Sequence, residues 1–171
     1  MFFRDIVGHS ELKRRLVEMV DSGRIPHAQL YTGAEGVGKL ALAIAVAQYI
    51  CCEHREGGES CGRCPSCVQF AKLSHPDLHF VFPMATRDGV KVCADMIDTF
   101  RSAVLANPYI SLNEWMNEAS DGKSVQIYAA EGEEIIRKLT FKPYQGQYKV
   151  MIVWIPEKMH EACANKVLKI L

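Results

Sequence analysis

The sequence predicts an α/β fold in which a parallel sheet lies between helices, and three observations predict it. A glycine-rich turn at residues 33–40 (Gly-Ala-Glu-Gly-Val-Gly-Lys-Leu) separates a short apolar run from a helical pattern. Residues 149–155 (Lys-Val-Met-Ile-Val-Trp-Ile) form a nearly unbroken apolar run, as in a strand covered on both faces. Helical and strand-like periods alternate between these landmarks. Strands are expected near residues 28–32, 78–82, 125–129 and 149–155, with the glycine-rich loop at the sheet edge. The chain of 171 residues has the size of one domain.

Taken in order, Ser10 can cap a helix to about Asp21, with Leu12, Leu16, Met19 and Val20 on one face. Gly23 and Pro26 end it. Residues 29–32 read as a short buried strand. Residues 39–49 are rich in alanine and apolar on nearly every side, which predicts a buried helix. Residues 52–67 then become polar, glycine-rich and dense in cysteine, an insertion with its own organisation. A short helix runs to about Leu73, and residues 78–82 read as a strand. Helices are expected over 94–106 and 111–119, split by Asn107 and Pro108, and over 131–139 through Ile135, Ile136 and Leu139. Residues 84–124 carry turn signals in Arg87-Asp88-Gly89 and Asp121-Gly122-Lys123 and are expected to be the most mobile part of the chain. The helical pattern from Glu161 runs to Leu171 without a stop signal, which reads as a piece of a longer protein.

Twenty basic residues balance twenty acidic ones. A stand-alone nucleic-acid binder carries a basic surplus, so any DNA contact is expected through an assembly. No apolar run approaches the ~20 residues that cross a bilayer. The start, Met1-Phe2-Phe3-Arg4-Asp5, lacks the layout of a signal peptide. No membrane partner and a cytoplasmic address are the expectation, and thiols there favour metal binding or burial over disulfides.

Gly33, Gly36, Gly38 and Lys39 match a phosphate-binding loop, in which backbone N–H groups curl round a phosphate at a helix N-terminus and the lysine reaches its oxygens. A serine or threonine should follow to hold Mg²⁺, yet Leu40 stands there. The second Mg²⁺ position, an acidic residue at the end of an apolar strand, is filled by Pro156, with Glu157 one residue on. Both losses concern the same ion. Weak binding of ATP or ADP is expected to survive; hydrolysis is not.

Cys52, Cys61, Cys64 and Cys67 are spaced to surround one Zn²⁺ tetrahedrally, with Gly57, Gly58, Gly62 and Pro65 making the turns between them. Four thiolates leave no open position for water, so the zinc is structural. His54 is an alternative ligand. Cys51, Cys93 and Cys163 read as ordinary thiols, and His75-Pro76-Asp77 as a turn leading into a strand.

The segments Asp5-Ile6-Val7-Gly8, Arg24-Ile25-Pro26-His27-Ala28, the phosphate loop, the four-cysteine module, His75-Pro76-Asp77 and residues 164–169 (Ala-Asn-Lys-Val-Leu-Lys) together resemble the bacterial DNA polymerase III clamp-loader subunits. That resemblance implies a partial AAA+ domain over residues 1–171, cut before its sensor strand and lid, with the zinc insertion at 52–67. It further implies gamma/tau and delta subunits as partners, and the sliding clamp and primed DNA through the assembly. Gamma/tau subunits of the family keep a complete phosphate loop and an Asp-Glu pair and hydrolyse ATP. Delta-prime subunits often carry degenerate versions of both, and Leu40 with Pro156-Glu157 is similar to that type. Two rival readings are an ATP-hydrolysing gamma/tau-type subunit and a zinc-ribbon nucleic-acid module on an inactive phosphate-loop scaffold. The neutral charge and the lack of an aromatic and basic surface pattern near the cysteines count against the latter.

Overall fold

A computed structural model describes residues 1–86, 89–120 and 123–170. The chain divides into two compact units, one of Met1–Leu78 with Tyr144–Val150 and one of His79–Pro143 with Met151–Leu171. Its elements are α1 (Ser10–Asp21), α2 (Lys39–Cys51), α3 (Pro65–Phe70), β1 (Leu78–Val81), α4 (Ile97–Ala106), α5 (Leu112–Ser120), α6 (Glu131–Thr140), β2 (Val150–Val153) and α7 (Glu161–Val167). The Val150 N–H donates to the Asp77 carbonyl and the Trp154 N–H to that of Val81, each at 2.8 Å. Both partners advance together, so β1 and β2 run parallel.

In the first unit, α1 buries Leu16 and Val20 but leaves Leu12 exposed. It is preceded by His9 in a left-handed conformation rather than capped by Ser10. Its end is a Schellman turn: Gly23 at φ 69° donates to the Val20 carbonyl, and Arg24 to that of Met19. α2 is buried on nearly every side, nine of its residues from Leu40 to Tyr49 being inaccessible. Phe3, Ile6, Leu16, Val20, Ala45 and Tyr49 join in one core.

Asp77 fastens the Tyr144–Val150 segment to this unit. Its carboxylate, 1% exposed, accepts the N–H groups of Tyr144 (2.6 Å), Gln145 (2.8 Å) and Gly146 (3.3 Å). The turn before it is held by His75, whose Nδ1 accepts the Asp77 N–H at 3.1 Å while its ring packs on Phe70. His75-Pro76-Asp77 is thus a turn and strand lead-in, as the sequence predicts.

The second unit is built on aromatic rings. Phe82 stacks on Phe100 at 4.0 Å between centroids, and Trp115 meets both edge-on at 5.3 Å. The Trp115 Nε1–H donates to the Pro83 carbonyl, which satisfies the one polar atom of a wholly buried side chain. At Gly132 of α6 a Cβ would lie 3.4 Å from the Cys163 Cα, so glycine permits the close crossing with α7. α6 and α7 are also tied by Lys166 and Glu133 at 2.7 Å.

Three further expectations need correction. Residues 28–32 form no strand: they have no ladder partner among the described residues, and Leu30 is 78% exposed. A strand is stable only beside a neighbour, and β1 and β2 pair with each other instead. The strand expected at 125–129 shrinks to two single bridges, Met84 with Gln126 and Ile127 with Met159. It stops because Tyr128 and Ala129 already turn into α6, their carbonyls accepting the N–H groups of Glu131 and Gly132. Finally, the described part of 84–124 contributes core residues, with Met84, Met96, Phe100, Val104 and Trp115 buried. The helices split at Asn107 and Pro108 as expected. Of the turn signals, Arg87, Asp88, Asp121 and Gly122 lie outside the described residues.

Two outcomes follow from this packing. Amides in the second turn of α4 should exchange as slowly as those of β2, measured by hydrogen exchange and mass spectrometry. Burial disfavours the Asp77 carboxylate, but three backbone N–H groups outweigh that and hold its carboxyl below the usual range. Its contribution is therefore complete above the unfolded value near ~3.9 and is lost as pH falls through the lower folded value. Asp77→Asn should lower stability at pH 7 by about 2–3 kcal/mol in denaturant titration, a difference from wild type that shrinks in strong acid.

Candidate functional site

The cysteine module is assembled by turns. Glu56 and Glu59 exchange two backbone hydrogen bonds at 3.0 Å around Gly57 and Gly58, both at positive φ. Gly62, at φ 71°, turns the chain again between Cys61 and Cys64. Pro65 opens α3, and Cys64 caps it by accepting the Cys67 N–H at 3.5 Å. The sulfurs of Cys52, Cys61, Cys64 and Cys67 end within 4.8 Å of one another.

Backbone N–H groups point at these sulfurs, from Cys61 to Cys52 Sγ at 3.2 Å and from Cys64 to Cys61 Sγ at 3.4 Å. Such donors stabilise thiolates. The N–H of Arg63 leads in lowering the Cys61 thiol to about 6, whereas burial pushes Cys52 and Cys67 up. Several buried sulfurs at one point need a cation to ionise together, and the donor set suits a soft, tetrahedral ion. Among the described residues this is the one cluster of metal-ligating side chains that meets at a point. His54 is exposed and outside it. Cys51, half-buried, is raised to about 12 by burial, and burial likewise raises Cys93 and Cys163. They stay protonated and apolar, as expected of ordinary thiols.

The glycine-rich loop enters α2, whose first residue is Lys39. Gly33, Gly36 and Gly38 adopt φ of 151°, 76° and 85°, values that side chains disfavour. Gly38 caps the helix, so the loop curls at a helix N-terminus as the motif requires. The Lys39 ammonium folds back on the loop and donates to the carbonyls of Gly33 (2.8 Å) and Ala34 (2.6 Å). Leu40, by contrast, is buried, 6% exposed. Glu157 belongs to the second unit, exposed on a single 3₁₀ turn of Pro156–Lys158. The residue before that turn, Ile155, sits at φ 55°, a strained value for a β-branched side chain.

Sequence reasoning missed three polar groups near these features. His9 Nε2 lies 2.9 Å from the Val37 carbonyl, and since a carbonyl only accepts, the ring nitrogen carries the proton. Glu59 receives the N–H groups of Phe3 (3.1 Å) and Arg4 (2.7 Å). Glu131, wholly buried, accepts the Cys93 N–H at 2.7 Å. Nothing in local spacing signals the last two, whose partners lie 38 or more positions away.

No helix among the described residues is long and apolar enough to cross a membrane. The sequence profile of the family described as "DNA polymerase III, delta subunit" matches residues 8–171. The DNA polymerase III subunit delta′ of Yersinia pestis is 30% identical over 164 residues, covering 92% of this chain and 36% of that protein. Its counterpart in Bacillus subtilis (strain 168) is 35% identical over 88 residues, 48% of this chain and 25% of the relative. The tau subunit of Escherichia coli (strain K12) is 32% identical over 101 residues, 59% of this chain and 16% of the relative. The chain thus spans little more than a third of the length of these relatives, or less. A profile match that runs from Gly8 through the loop, the cysteines and both strands shows that the chain belongs to the DNA polymerase III delta subunit family, as a member of delta-prime type.

Proposed function

We propose that residues 1–171 are the front of an AAA+ module in a delta-prime-type clamp-loader subunit, with a structural zinc insertion at 52–67. The subunit works beside gamma/tau and delta subunits in the cytoplasm, as a part of the polymerase holoenzyme that does not itself hydrolyse ATP. Through that assembly it helps place the sliding clamp on primed DNA. One observation carries the reading. The loop keeps its glycine conformations and its helix N-terminus, while the Mg²⁺-binding position after Lys39 is an apolar side chain packed in the core.

Phosphoryl transfer depends on positioning and on charge stabilisation by Mg²⁺ at the β- and γ-phosphates. In this reading the N–H groups of 36–39 and the Lys39 ammonium receive a phosphate, once Lys39 leaves the Gly33 and Ala34 carbonyls. Leu40 offers the ion no oxygen, and Pro156 offers none at the other position. The site binds and does not turn over. The match to tau subunits favours the hydrolysing alternative, and the two differ in a measurement. The full-length protein, given ATP and Mg²⁺, should release no phosphate above a Lys39→Ala control; turnover in wild type that the control lacks would establish the gamma/tau-type reading.

Cys52, Cys61, Cys64 and Cys67 would hold the zinc, which supplies no chemistry beyond cross-linking the turns. Elemental analysis of protein purified without added metal should give one zinc per chain. Structural zinc is worth on the order of 10 kcal/mol to its module. Cys64→Ser should therefore unfold residues 52–67 locally, seen as rapid amide exchange there with α4 and α5 unchanged.

A further inference from the structure

Residues 2–9 touch both candidate sites. At one end they sit on the cysteine module: Glu59 grips the Phe3 and Arg4 N–H groups, and a Cβ on Gly62 would meet the Phe2 ring at 2.9 Å. Glu59 and Gly62 flank the ligand candidate Cys61 at two residues and one. The segment is braced internally, since Asp5 accepts the Phe2 N–H at 2.8 Å and the Arg4 guanidinium lies 4.1 Å over the Phe2 ring. Phe3 and Ile6 anchor its middle in the core, Phe3 against Tyr49 at 5.6 Å. Lys13 holds the Ile6 carbonyl. At the other end, Gly8 and His9 both adopt positive φ, which turns the His9 ring onto the Val37 carbonyl of the glycine-rich loop.

We propose that residues 2–9 form a strap that couples metal occupancy of the cysteine module to the conformation of the phosphate loop. The turn over 59–62 contains no apolar side chain except that of Cys61, so beyond the Glu56–Glu59 backbone pair and the Gln48–Ser60 bond its shape depends on the ion at Cys61. While the turn is fixed, Glu59 presents both oxygens to Phe3 and Arg4, and the strap is seated. A seated strap holds His9 against Val37, and that bond fixes the loop between Gly36 and Gly38. With the ion gone the Glu59 grip is lost, the strap frays from its first residues, and the loop loses its outside contact. The strap has two arrangements, seated and frayed, and each site biases it. His9 acts here as a positioning residue for the loop. The idea rests on the phosphate-loop reading only for its ligand, since the coupling itself is mechanical.

The test uses the full-length protein, as purified and after zinc removal by chelation, with amide exchange read at residues 3–4 and 33–38 and ADP binding read by calorimetry. Zinc removal and, separately, Glu59→Ala with its zinc retained should each speed exchange at both segments by about tenfold, the equivalent of one lost hydrogen bond. His9→Ala should speed exchange at 33–38 and leave 3–4 unchanged. ADP affinity should fall by a similar factor in all three. If Glu59→Ala loses its metal, Phe2→Ala, which empties the Gly62 contact, takes its place. Faster exchange at 3–4 with 33–38 unchanged in a zinc-loaded strap variant overturns the coupling. Failure of wild-type protein to bind ADP, with exchange still coupled, overturns the phosphate-loop reading and leaves the strap standing.

Discussion

Residues 52–67 contain no leucine, isoleucine, valine, phenylalanine or methionine, so the convergence of four sulfurs takes the place of an apolar core in giving them a shape. A segment this polar cannot offset its own ordering entropy by burial. Much of the first unit nonetheless leans on it. Gln48 of α2 donates to Ser60 within the buried interior, Phe3 and Arg4 hang from Glu59, and α3 begins at a cysteine of the cluster. The cluster is therefore a foundation for its neighbours as well as an insertion with its own organisation.

What was legible in the sequence was local. The x2 spacing of Cys61, Cys64 and Cys67, the glycines of the loop and the all-round apolar character of α2 each declare their structure within a few residues. Helices α1, α4, α5 and α6 appear where their periodicity puts them, and β1 and β2 within a residue or two. The failures at 28–32 and 84–124 turned on partners distant in sequence, and the strand at 125–129 was cut short by the turn into α6. An apolar run such as 28–32 becomes a strand only when another strand lies beside it. Residues 84–124 carry turn signals at their edges, which masked the ring cluster that Phe82, Phe100 and Trp115 make across a gap of 33 positions. Asp77 looked like part of a turn, and its larger task of holding residues 144–146 depends on N–H groups nearly 70 positions away.

The two departures from the phosphate-loop pattern have different structural characters. Leu40 is buried in the first turn of α2, where a hydroxyl would need a partner that water no longer supplies. Restoring a threonine there would remove apolar contact as well as add an oxygen. Pro156, by contrast, opens an exposed 3₁₀ turn directly after a strained Ile155, and its fixed φ helps set that turn. One position has been absorbed into the core and the other into a backbone bend. A polar residue at either position would therefore disturb its surroundings as well as add an oxygen.

Lys39 makes the same point from the retained side of the motif. In a loop that binds phosphate the ammonium is held for its charge, and here it also closes the loop by bridging two of its carbonyls. Those bonds satisfy the groups that a bound phosphate would otherwise leave facing its own oxygens. The loop is thus stable without ligand, and any anion that enters must first displace its own lysine. Exchanging those two carbonyl bonds for contacts to an anion sets part of the cost of any binding there.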